Sequence, residues 1–451
     1  MAHSRRRFLR TTALAAAGVS AASWGFSASS YRRIIGANDR IRLGVIGYSD
    51  RFRSSLLPSF LEHRKSLRFD LTAVSDIWRL RREAAEAAIP GKIGHGIKVF
   101  RNNDELYASG EADAVIISTA DFQHAGHTIE AVRAGCDAYV EKPFAETMAD
   151  NRAALRAIEE TGKIVQVGSQ RRSGSNYQSA ADYIRSGKFG PITMVELTWN
   201  VNQPGRWRRL DAVSSMRESD TDWKRYLMNR PSEPFSARKH LEFRLFWPYS
   251  SGLPGQWMSH QIDTVHWFSG LDHPRSVVAN GGVYVWKDGR ENWDTLTAVF
   301  DYGQPSDAGT GFQVTFSSRM HNGDENPREI YLSNGGELNL NTNKISSTGG
   351  LRAEHAAAMN MKPNLLPDSD LSFAQPVASS ANTGADPLTS AHMLNWMECV
   401  RNRKQPNATA RAGYAHSVAC IMTTAAMRTG LRVTFDEKSQ EVMAGGKAFL
   451  Y

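Results

Sequence analysis

The stretch IRLGVIGYSDRF, residues 41–52, joins a short apolar run to a turn that contains Gly47. An apolar strand, a glycine turn and a helix, in this order, form the place where a Rossmann sheet receives a dinucleotide. The usual G-x-G-x-x-G pattern supplies glycines for the tight bend, for the approach of the pyrophosphate and for close helix packing. Here Ser49 and Phe52 occupy the second and third places, so the turn alone is weak evidence for a cofactor site.

The two replacements differ in their expected cost. Ser49 has a small side chain whose hydroxyl can donate to a phosphate, whereas Phe52 should push the helix away from the strand. Arg51 and Arg53 add positive charge where a helix N-terminus already favours an anion. These residues leave two interpretations open, a working cofactor turn with altered chemistry and the remnant of one.

Short apolar runs alternate with helix-like segments between residues 40 and 169. This alternation predicts a parallel sheet with helices on both faces, and the weak polar alternation within the runs indicates burial on both sides. The runs are Ile41–Ile46, Phe69–Val74, Ala114–Ser118, Ala138–Val140 and Ile164–Val167. We therefore predict the α/β class, with a Rossmann domain over residues 37–168.

After Gln170 the pattern changes to strands with period-two alternation. One strand face carries Val195, Leu197, Trp199 and Val201, another carries Phe312, Val314 and Phe316, and Asn334-Gly335-Gly336 is typical of a hairpin turn. Helices are predicted over 176–186, 387–403 and 410–428. We predict that residues 169–451 form an α+β domain with a large, mostly antiparallel open sheet. Such a sheet needs its second face covered, which predicts a homodimer or homotetramer.

Asp76 ends the second apolar run and has two interpretations. An acidic residue at this place accepts hydrogen bonds from the adenosine ribose hydroxyls, which favours NAD over NADP. The same residue is equally suited to cap the following helix. The neighbouring arginines could hold a 2′-phosphate instead, and they are Arg79, Arg81 and Arg82.

The first 36 residues form a separate segment. SRRRFLR, residues 4–10, matches the twin-arginine export pattern, and a weakly apolar, alanine-rich stretch follows it. We therefore predict a twin-arginine signal peptide and linker over residues 1–36, and a periplasmic or otherwise exported protein. The alternative is a disordered basic tail.

Composition excludes several other classes of protein. The formal net charge is +8, four of these charges lie in the first ten residues, and no basic stripe follows that would suit nucleic acid. After the N-terminus, no apolar run is long enough for a membrane span. The three cysteines, Cys136, Cys399 and Cys420, lack the number and spacing of a zinc site or a disulfide framework. They are expected to be buried thiols, with a Cys399–Cys420 bridge as the alternative.

Five later stretches resemble one known family in the right order. They are ADAVIISTADFQHAGHTIEAVRAGCDAYVEKP (112–143), VEKPFAET (140–147), VGSQRR (167–172), MSHQID (258–263) and HMLNWMECVRNRKQPNATARAGYAHSV (392–418). Together they resemble the Gfo/Idh/MocA oxidoreductases, which include glucose–fructose oxidoreductase and inositol dehydrogenase, over almost everything after residue 38. This chain departs from the family with Ala120 where proline is usual and with Gln256 where D-x-x-x-H has its aspartate.

The resemblance implies roles for named residues. Lys142 contacts the substrate hydroxyl and helps to move its proton during hydride transfer, beside a Lys142–Pro143 bond that is a candidate for the cis form. Because Gln256 cannot act as a base, the proton relay is expected to use His260 and Lys142, with Asp263 orienting. The implied cofactor contacts are Gly47, Ser49, Arg51, Asp76, Thr119, His124, Glu141 and Gln170. The candidate substrate contacts are Gln256, Arg244, Trp247 and Tyr249, together with Arg206 and Trp207.

No metal site is predicted. Although His260, Asp263 and His266 are close in sequence, residues at i, i+3 and i+6 of a helix do not share one tight face. His266 is expected to pack in the core beside Trp267.

These expectations combine into one leading function and two alternatives. The leading prediction is an exported NAD(P)-dependent oxidoreductase that transfers hydride at a secondary alcohol of a sugar, sugar derivative or polyol. NAD is favoured, and tight binding is expected because free cofactor is scarce outside the cytoplasm. The first alternative is a redox-neutral, NAD-dependent glycoside hydrolase. The second is a sugar-binding protein that has lost its cofactor, as the replacements at Ser49, Phe52 and Gln256 suggest.

Overall fold

The computed structural model describes residues 40–304, 309–323, 327–371 and 386–450. The export segment predicted over residues 1–36 lies outside the described residues. Ile41–Tyr451 form one compact unit that contains two sheets. The boundary predicted between residues 168 and 169 falls between these sheets and stays a prediction.

The first sheet is a parallel Rossmann sheet of six strands. Its strands are β1 (Ile41–Ile46), β2 (Phe69–Ser75), β3 (Lys98–Phe100), β4 (Ala114–Ile117), β5 (Asp137–Val140) and β6 (Val165–Val167). They follow the order β3-β2-β1-β4-β5-β6, and every paired neighbour is parallel. Strands β4 and β5 are buried throughout, as their uninterrupted apolar character predicts. The predicted α/β class is confirmed, and the sheet contains one strand, β3, that the sequence pattern did not reveal.

The helices of the Rossmann half connect these strands. They are α1 (Leu57–His63), α2 (Arg79–Ala88), α3 (Pro90–Ile93), α4 (Asn103–Ser109), α5 (His124–Arg133) and α6 (Met148–Thr161), and α7 (Ser175–Arg185) follows β6. A π-helical turn, Phe52–Leu56, precedes α1, and short 3₁₀ turns occupy Asp121–Gln123 and Gln170–Ser173. The carboxyl ends of β1, β2, β4 and β5 therefore meet at one edge, where a doubly wound sheet binds its ligand.

Within the described ranges, the second sheet has eleven strands. They are β7 (Met194–Asn200), β8 (Ser276–Gly282), β9 (Thr295–Tyr302), β10 (Phe312–Arg319), β11 (Arg328–Ser333), β12 (Gly336–Asn339), β13 (Lys344–Ser346), β14 (Ser369–Asp370), β15 (Val433–Asp436), β16 (Glu441–Ala444) and β17 (Lys447–Ala448). All pairings are antiparallel except that of β7 with β10. The predicted hairpin joins β11 to β12, and the large, mostly antiparallel sheet is confirmed.

Helices cover one face of this sheet. The helices after the Rossmann half are α8 (Leu210–Ser215), α9 (Trp223–Leu227), α10 (Ala237–Leu241), α11 (Ser259–Ser269), α12 (Ala353–Ala358), α13 (Pro387–Asn402) and α14 (Ala410–Thr429). Helix α14, almost entirely buried, contacts α11 and β8, and the inward side chains of β7 join the same core. The opposite face carries exposed polar residues such as Thr297 and Gln313. The predicted oligomer stays a prediction.

Two further expectations concern membrane spans and thiols. Over the residues that the structure describes, no helix is long and apolar enough to cross a membrane. Cys136, Cys399 and Cys420 are buried free thiols, so the alternative of a Cys399–Cys420 bridge is wrong.

Candidate functional site

A cavity of about 470 Å³ opens at the carboxyl edge of the Rossmann sheet. The predicted residues that line it are Gly47, Ser49, Arg51, Asp76, Thr119, His124, Glu141, Lys142, Arg206, Trp207, Arg244, Gln256 and His260. We call the part around Gly47, Ser49 and Asp76 the turn end, and the part around Lys142 and Gln256 the lysine end.

Gly47 is a conformational requirement of the turn end. Its φ is +84°, in the left-handed region, and its N–H donates to the Ser75 carbonyl at 2.9 Å. A Cβ at this position would lie 2.8 Å from Thr119 Cγ2 and 3.2 Å from the Ser118 carbonyl oxygen. The bend therefore leaves a backbone cradle that a side chain would fill.

The residues at the other two glycine positions are built into the turn. Ser49 Oγ donates to Ser118 Oγ at 3.1 Å and accepts from the Phe52 N–H at 3.1 Å. Phe52 is fully buried and begins the π-helical turn, whose extra residue widens the helix start. The predicted displacement by Phe52 thus coincides with a local helix irregularity, while the strand and the turn persist.

Asp76 ties the first two βα turns together. Its Oδ2 accepts from the Tyr48 N–H and its Oδ1 from the Trp78 N–H, both at 2.8 Å. Burial raises the pKa of this carboxyl, and the two backbone donors oppose that effect. The first residue of α2 is Arg79 and its N-cap is Trp78, so Asp76 closes a turn before the helix rather than occupying the cap itself.

The three arginines after Asp76 all have partners. Arg79 pairs with Glu83 and Asp220, and Arg81 pairs with Asp50 at 2.8 Å. Arg82 donates to the Asp76 carbonyl at 2.7 Å. This arrangement leaves both sequence interpretations, a ribose contact by Asp76 and a phosphate contact by arginine, in place.

Asp50 connects the turn end to the second half of the chain. It forms ion pairs with Arg53, Arg81 and Arg209, the last at 3.1 Å. Burial disfavours its charge, but the three guanidinium groups outweigh burial and lower the pKa of Asp50. Arg51, expected near the phosphates, donates instead to Glu141 Oε1 at 2.9 Å.

Thr119 and His124 lie between the two ends. His124 places Nδ1 2.8 Å from the Pro143 carbonyl oxygen and Nε2 3.3 Å from that of Thr119, and burial lowers its pKa. The Lys142–Pro143 bond is cis, as the sequence suggested. Thr119 Oγ1 is buried and has no hydrogen-bond partner among the described residues. This hydroxyl is therefore available to a ligand in the cavity.

Lys142 is buried beside the π-helical turn Pro254–Met258. Its Nζ donates to the Gln256 carbonyl at 2.6 Å and lies 3.5 Å from that of Gly255. Burial lowers its pKa to about 8, although the charges of Asp121 and Glu141 oppose this shift. An amine with this pKa exchanges a proton readily near neutral pH.

Sequence reasoning missed Asp121. Its carboxylate is fully buried, and its Oδ2 accepts from Gln256 Nε2 at 2.5 Å and from Ser250 Oγ at 2.6 Å. Arg244 Nη2 lies 3.6 Å from Oδ1. The carboxylate that the family resemblance places at position 256 is thus supplied behind Gln256 by a loop after β4. The sequence signal was an acidic residue four positions after the end of the apolar strand β4.

His260 and Asp263 face different neighbours. His260 is buried, lines the lysine end and stacks on Trp199 with ring centroids 5.8 Å apart. Burial, and then the charge of Lys142, keep its pKa well below the ordinary value, so the ring is neutral. Asp263 accepts from Arg172 at 2.8 and 3.0 Å and lies 3.7 Å from His416 Nδ1. Asp263 does not line the cavity, and its predicted orienting role stays a prediction.

The remaining candidates also lie outside the lining. Gln170 Nε2 reaches Tyr139 Oη at 3.2 Å and Glu141 at 3.4 Å, so it supports Glu141 from behind. Tyr249 is buried against Phe122 and Tyr226, and Trp247 lies under the guanidinium of Arg428. His266 lies 2.8 Å from Tyr302 Oη in the core, and no cluster of three metal-ligating side chains occurs within the described ranges.

Residues 41–169 match the Gfo/Idh/MocA family, described as an oxidoreductase family with an NAD-binding Rossmann fold. This part of the chain is therefore similar to the Rossmann domain of that family. Its boundaries enclose β1–β6 and the loop that carries Glu141 and Lys142.

Curated relatives match parts of the chain. Inositol 2-dehydrogenase of Cereibacter sphaeroides is 29% identical over 162 residues, which are 36% of this chain and 46% of that protein. The 1-carboxy-3-chloro-3,4-dihydroxycyclo hexa-1,5-diene dehydrogenase of Comamonas testosteroni is 26% identical over 286 residues, 63% of this chain and 60% of that protein. The chain thus spans about half the length of these relatives, and the activity of the whole protein is a matter for proposal.

Solved structures share the fold over most of the chain. The WlbA dehydrogenase from Bordetella pertussis, in complex with NADH and UDP-GlcNAcA, superposes with a TM-score of 0.63 at 18% identity and covers 88% of this chain and 98% of its own. Levoglucosan dehydrogenase, in complex with NADH and levoglucosan, gives a TM-score of 0.63 at 13% identity, with 88% and 99% covered. At these identities the likeness establishes the architecture of both sheets.

Proposed function

We propose that this protein is a nicotinamide-dependent dehydrogenase that oxidises a secondary alcohol of a sugar, sugar derivative or polyol, or runs the reverse reduction. The observation that carries the proposal is Lys142, a buried amine with a pKa of about 8 at the wall of a Rossmann cavity. The relatives named above support the substrate class, since their names include inositol and levoglucosan.

The cavity residues fit a dinucleotide in two independent ways. Gly47 leaves a backbone cradle that a Cβ would fill, and Thr119 Oγ1 is a buried hydroxyl without a described partner. Gly47, Asp76, Thr119 and Glu141 would hold the cofactor, with NAD favoured and tight binding expected. When bound, it supplies the acceptor or donor of the hydride.

The side chains at the lysine end can transfer the proton of the substrate hydroxyl. In oxidation, neutral Lys142 takes the hydroxyl proton of the substrate, and in reduction its ammonium form returns it. The Gln256 carbonyl fixes the Nζ by accepting from it at 2.6 Å. Neutral His260 and the Gln256 amide are suited to orient the substrate hydroxyls by hydrogen bonds.

The test is to incubate the purified protein with NAD or NADP and matched sugars, polyols and glycosides, and to identify the products. An oxidised sugar formed together with reduced cofactor is the expected result. Release of a reducing sugar from a glycoside, without net cofactor reduction, would instead establish the hydrolase alternative. Absence of both products, and of any nicotinamide in the denatured protein, would leave the sugar-binding alternative.

We also propose export through the twin-arginine pathway, on the strength of SRRRFLR alone. The Arg5→Lys/Arg6→Lys double variant is expected to remain inside the cell, whereas Arg7→Lys, at the variable position of the pattern, should be exported normally. Equal export of both variants in cell fractionation would contradict this proposal.

A further inference from the structure

The lysine end of the cavity carries a concentration of positive charge. Arg206, Arg244 and Lys142 all line it, together with neutral His260 and Gln256. Of the acids near this end, Asp121 and Glu146 are buried behind the wall, and Glu141, which lines the cavity, pairs with Arg51 at 2.9 Å. Burial and the charge of Asp121 raise the pKa of Glu146 to about 7, which reduces the negative charge behind the wall further.

Both arginines belong to the lysine end rather than to the turn end. Arg244 and Gln256 share one partner, Asp121, and the charge of Arg244 contributes to lowering the pKa of Lys142. Arg206 lies over the ring of Trp257, the residue next to Gln256, at 5.2 Å. At the turn end, by contrast, Arg81 and Arg209 pair with Asp50.

The two guanidinium groups are held in place before any ligand binds. Arg244 stacks over Phe243 at 4.7 Å, and Arg206 stacks over Trp257 and donates to the Gln203 side chain. Stacking fixes the plane of a guanidinium, so that its N–H groups can meet an oxyanion in the forked geometry typical of arginine. The two guanidinium groups also repel each other. Burial and the charge of Arg244 lower the pKa of Arg206 to about 10.

Arg244 has a hydrogen-bond donor that the described residues do not satisfy. Its Nε is buried without a hydrogen-bond partner among the described residues, and its 3.6 Å ion pair with Asp121 is too long for a hydrogen bond. A buried, unsatisfied donor is costly unless a ligand completes it. A neutral sugar hydroxyl would satisfy the donor, but an anionic oxygen would also offset the accumulated positive charge.

We propose that the substrate is an acidic sugar, whose anionic group binds Arg244 and Arg206 while its reacting hydroxyl faces Lys142. This inference rests on the proposed dehydrogenase function and specifies its substrate class. Carboxylate and phosphate share the required chemistry, since each presents oxygens to a guanidinium fork.

The test is calorimetric binding to the full-length protein, with and without saturating NADH. The probes are D-glucuronate, its neutral methyl ester, D-glucose and D-glucose 6-phosphate. We expect at least one of the two anionic sugars to bind about tenfold or more tightly than its neutral counterpart, as a charge-assisted hydrogen bond provides. Glucuronate and glucose 6-phosphate distinguish carboxylate from phosphate as the anion.

Variants locate the effect. Arg244→Gln and Arg206→Gln should each remove about tenfold of the preference for the anionic probe and leave NADH affinity unchanged. Arg208→Gln is the matched control, because Arg208 lies in the same segment but pairs with Glu242 and Asp288 outside the lining. Its preference should match that of the unmodified protein.

Equal binding of anionic and neutral probes would overturn the inference, and so would failure of both anionic probes to bind. A preference that survives both glutamine variants would also overturn it, as would variants that lose NADH affinity instead. Oxidation of neutral sugars with no preference for anionic ones would contradict this inference but support the dehydrogenase proposal. Failure to bind NADH would contradict the dehydrogenase proposal. The titration without NADH would still show whether anionic sugars bind more tightly than neutral ones.

Discussion

The two ends of the cavity differ in how completely the chain satisfies its own polar groups. At the turn end, Asp76 accepts from two backbone N–H groups, and the hydroxyl of Ser49 both donates and accepts. At the lysine end, Arg244 Nε and Asp121 Oδ1 are buried without hydrogen-bond partners among the described residues. The turn end is thus held together by internal bonds that tolerate the loss of two glycines. The lysine end depends on a ligand to complete it, and we expect it to decide which substrate reacts.

The largest effect is expected from Lys142→Met. This substitution removes the amine and keeps an unbranched apolar side chain of similar length. Turnover should fall by about 10³-fold, within the range for losing a general acid or base. NADH affinity should change by less than about twofold, because the turn end is untouched. Steady-state kinetics and NADH titration measure the two effects, with exposed Lys188→Met as the control. Retention of more than a tenth of the activity would refute the role of Lys142.

Asp76→Ala should act at the turn end and lower NADH affinity, in contrast to Lys142→Met, which should lower turnover. It removes the acceptor of two charge-assisted hydrogen bonds, so NADH affinity should fall by about 10- to 100-fold. The thermal unfolding temperature should also decrease. Asp76→Asn keeps one oxygen acceptor, so its NADH affinity should lie between those of the unmodified protein and Asp76→Ala. If fluorescence titration gives the same NADH affinity for all three proteins, Asp76 does not organise the cofactor site.

The pH dependence sharpens the comparison without a mutation. Oxidation needs the neutral amine of Lys142, so its rate should rise about tenfold per pH unit below the pKa of about 8 and level off above it. Reduction needs the ammonium form, so its rate should fall above pH 8. Parallel profiles for the two directions, measured from pH 6 to 10, would exclude Lys142 as the proton carrier.

Ser49→Gly should have the smallest effect. It restores the second glycine but removes two hydrogen bonds, which costs about 1–2 kcal/mol of unfolding free energy. NADH affinity should stay within about threefold, because the cradle depends on Gly47. Ser49→Ala separates the hydroxyl from the added backbone freedom. A loss of NADH affinity beyond tenfold in both variants would show that the hydroxyl itself binds cofactor.

Sequence patterns predicted the architecture because it depends on periodicity that each segment carries locally. The apolar runs of β1, β4 and β5 and the alternation in β7 were visible without tertiary information. Strand β3 was missed, since its three residues, Lys98–Phe100, are exposed or half-buried and have no distinctive pattern. Helix ends were predicted to within a residue or two where caps such as Asp386 were present.

The site was less predictable because side-chain direction and long-range pairing decide it. The sequence predicted Asp263 as an orienting residue of the proton relay, but Arg172, 91 positions away, binds it outside the cavity lining. Asp121 reaches Gln256 across 135 positions, which no local motif reveals. Trp247 and Tyr249 have the residue types of a sugar pocket, yet they pack outside the lining.

The most direct test of the account is the nicotinamide content of one purified chain. The amount is the sum of NAD(H) released on denaturation and NADH bound at saturation in a calorimetric titration. The account predicts one equivalent per chain for the unmodified protein and a large loss in Gly47→Val, whose side chain would meet Thr119 and Ser118. No bound nucleotide in the unmodified protein, or an undiminished equivalent in Gly47→Val, would contradict it.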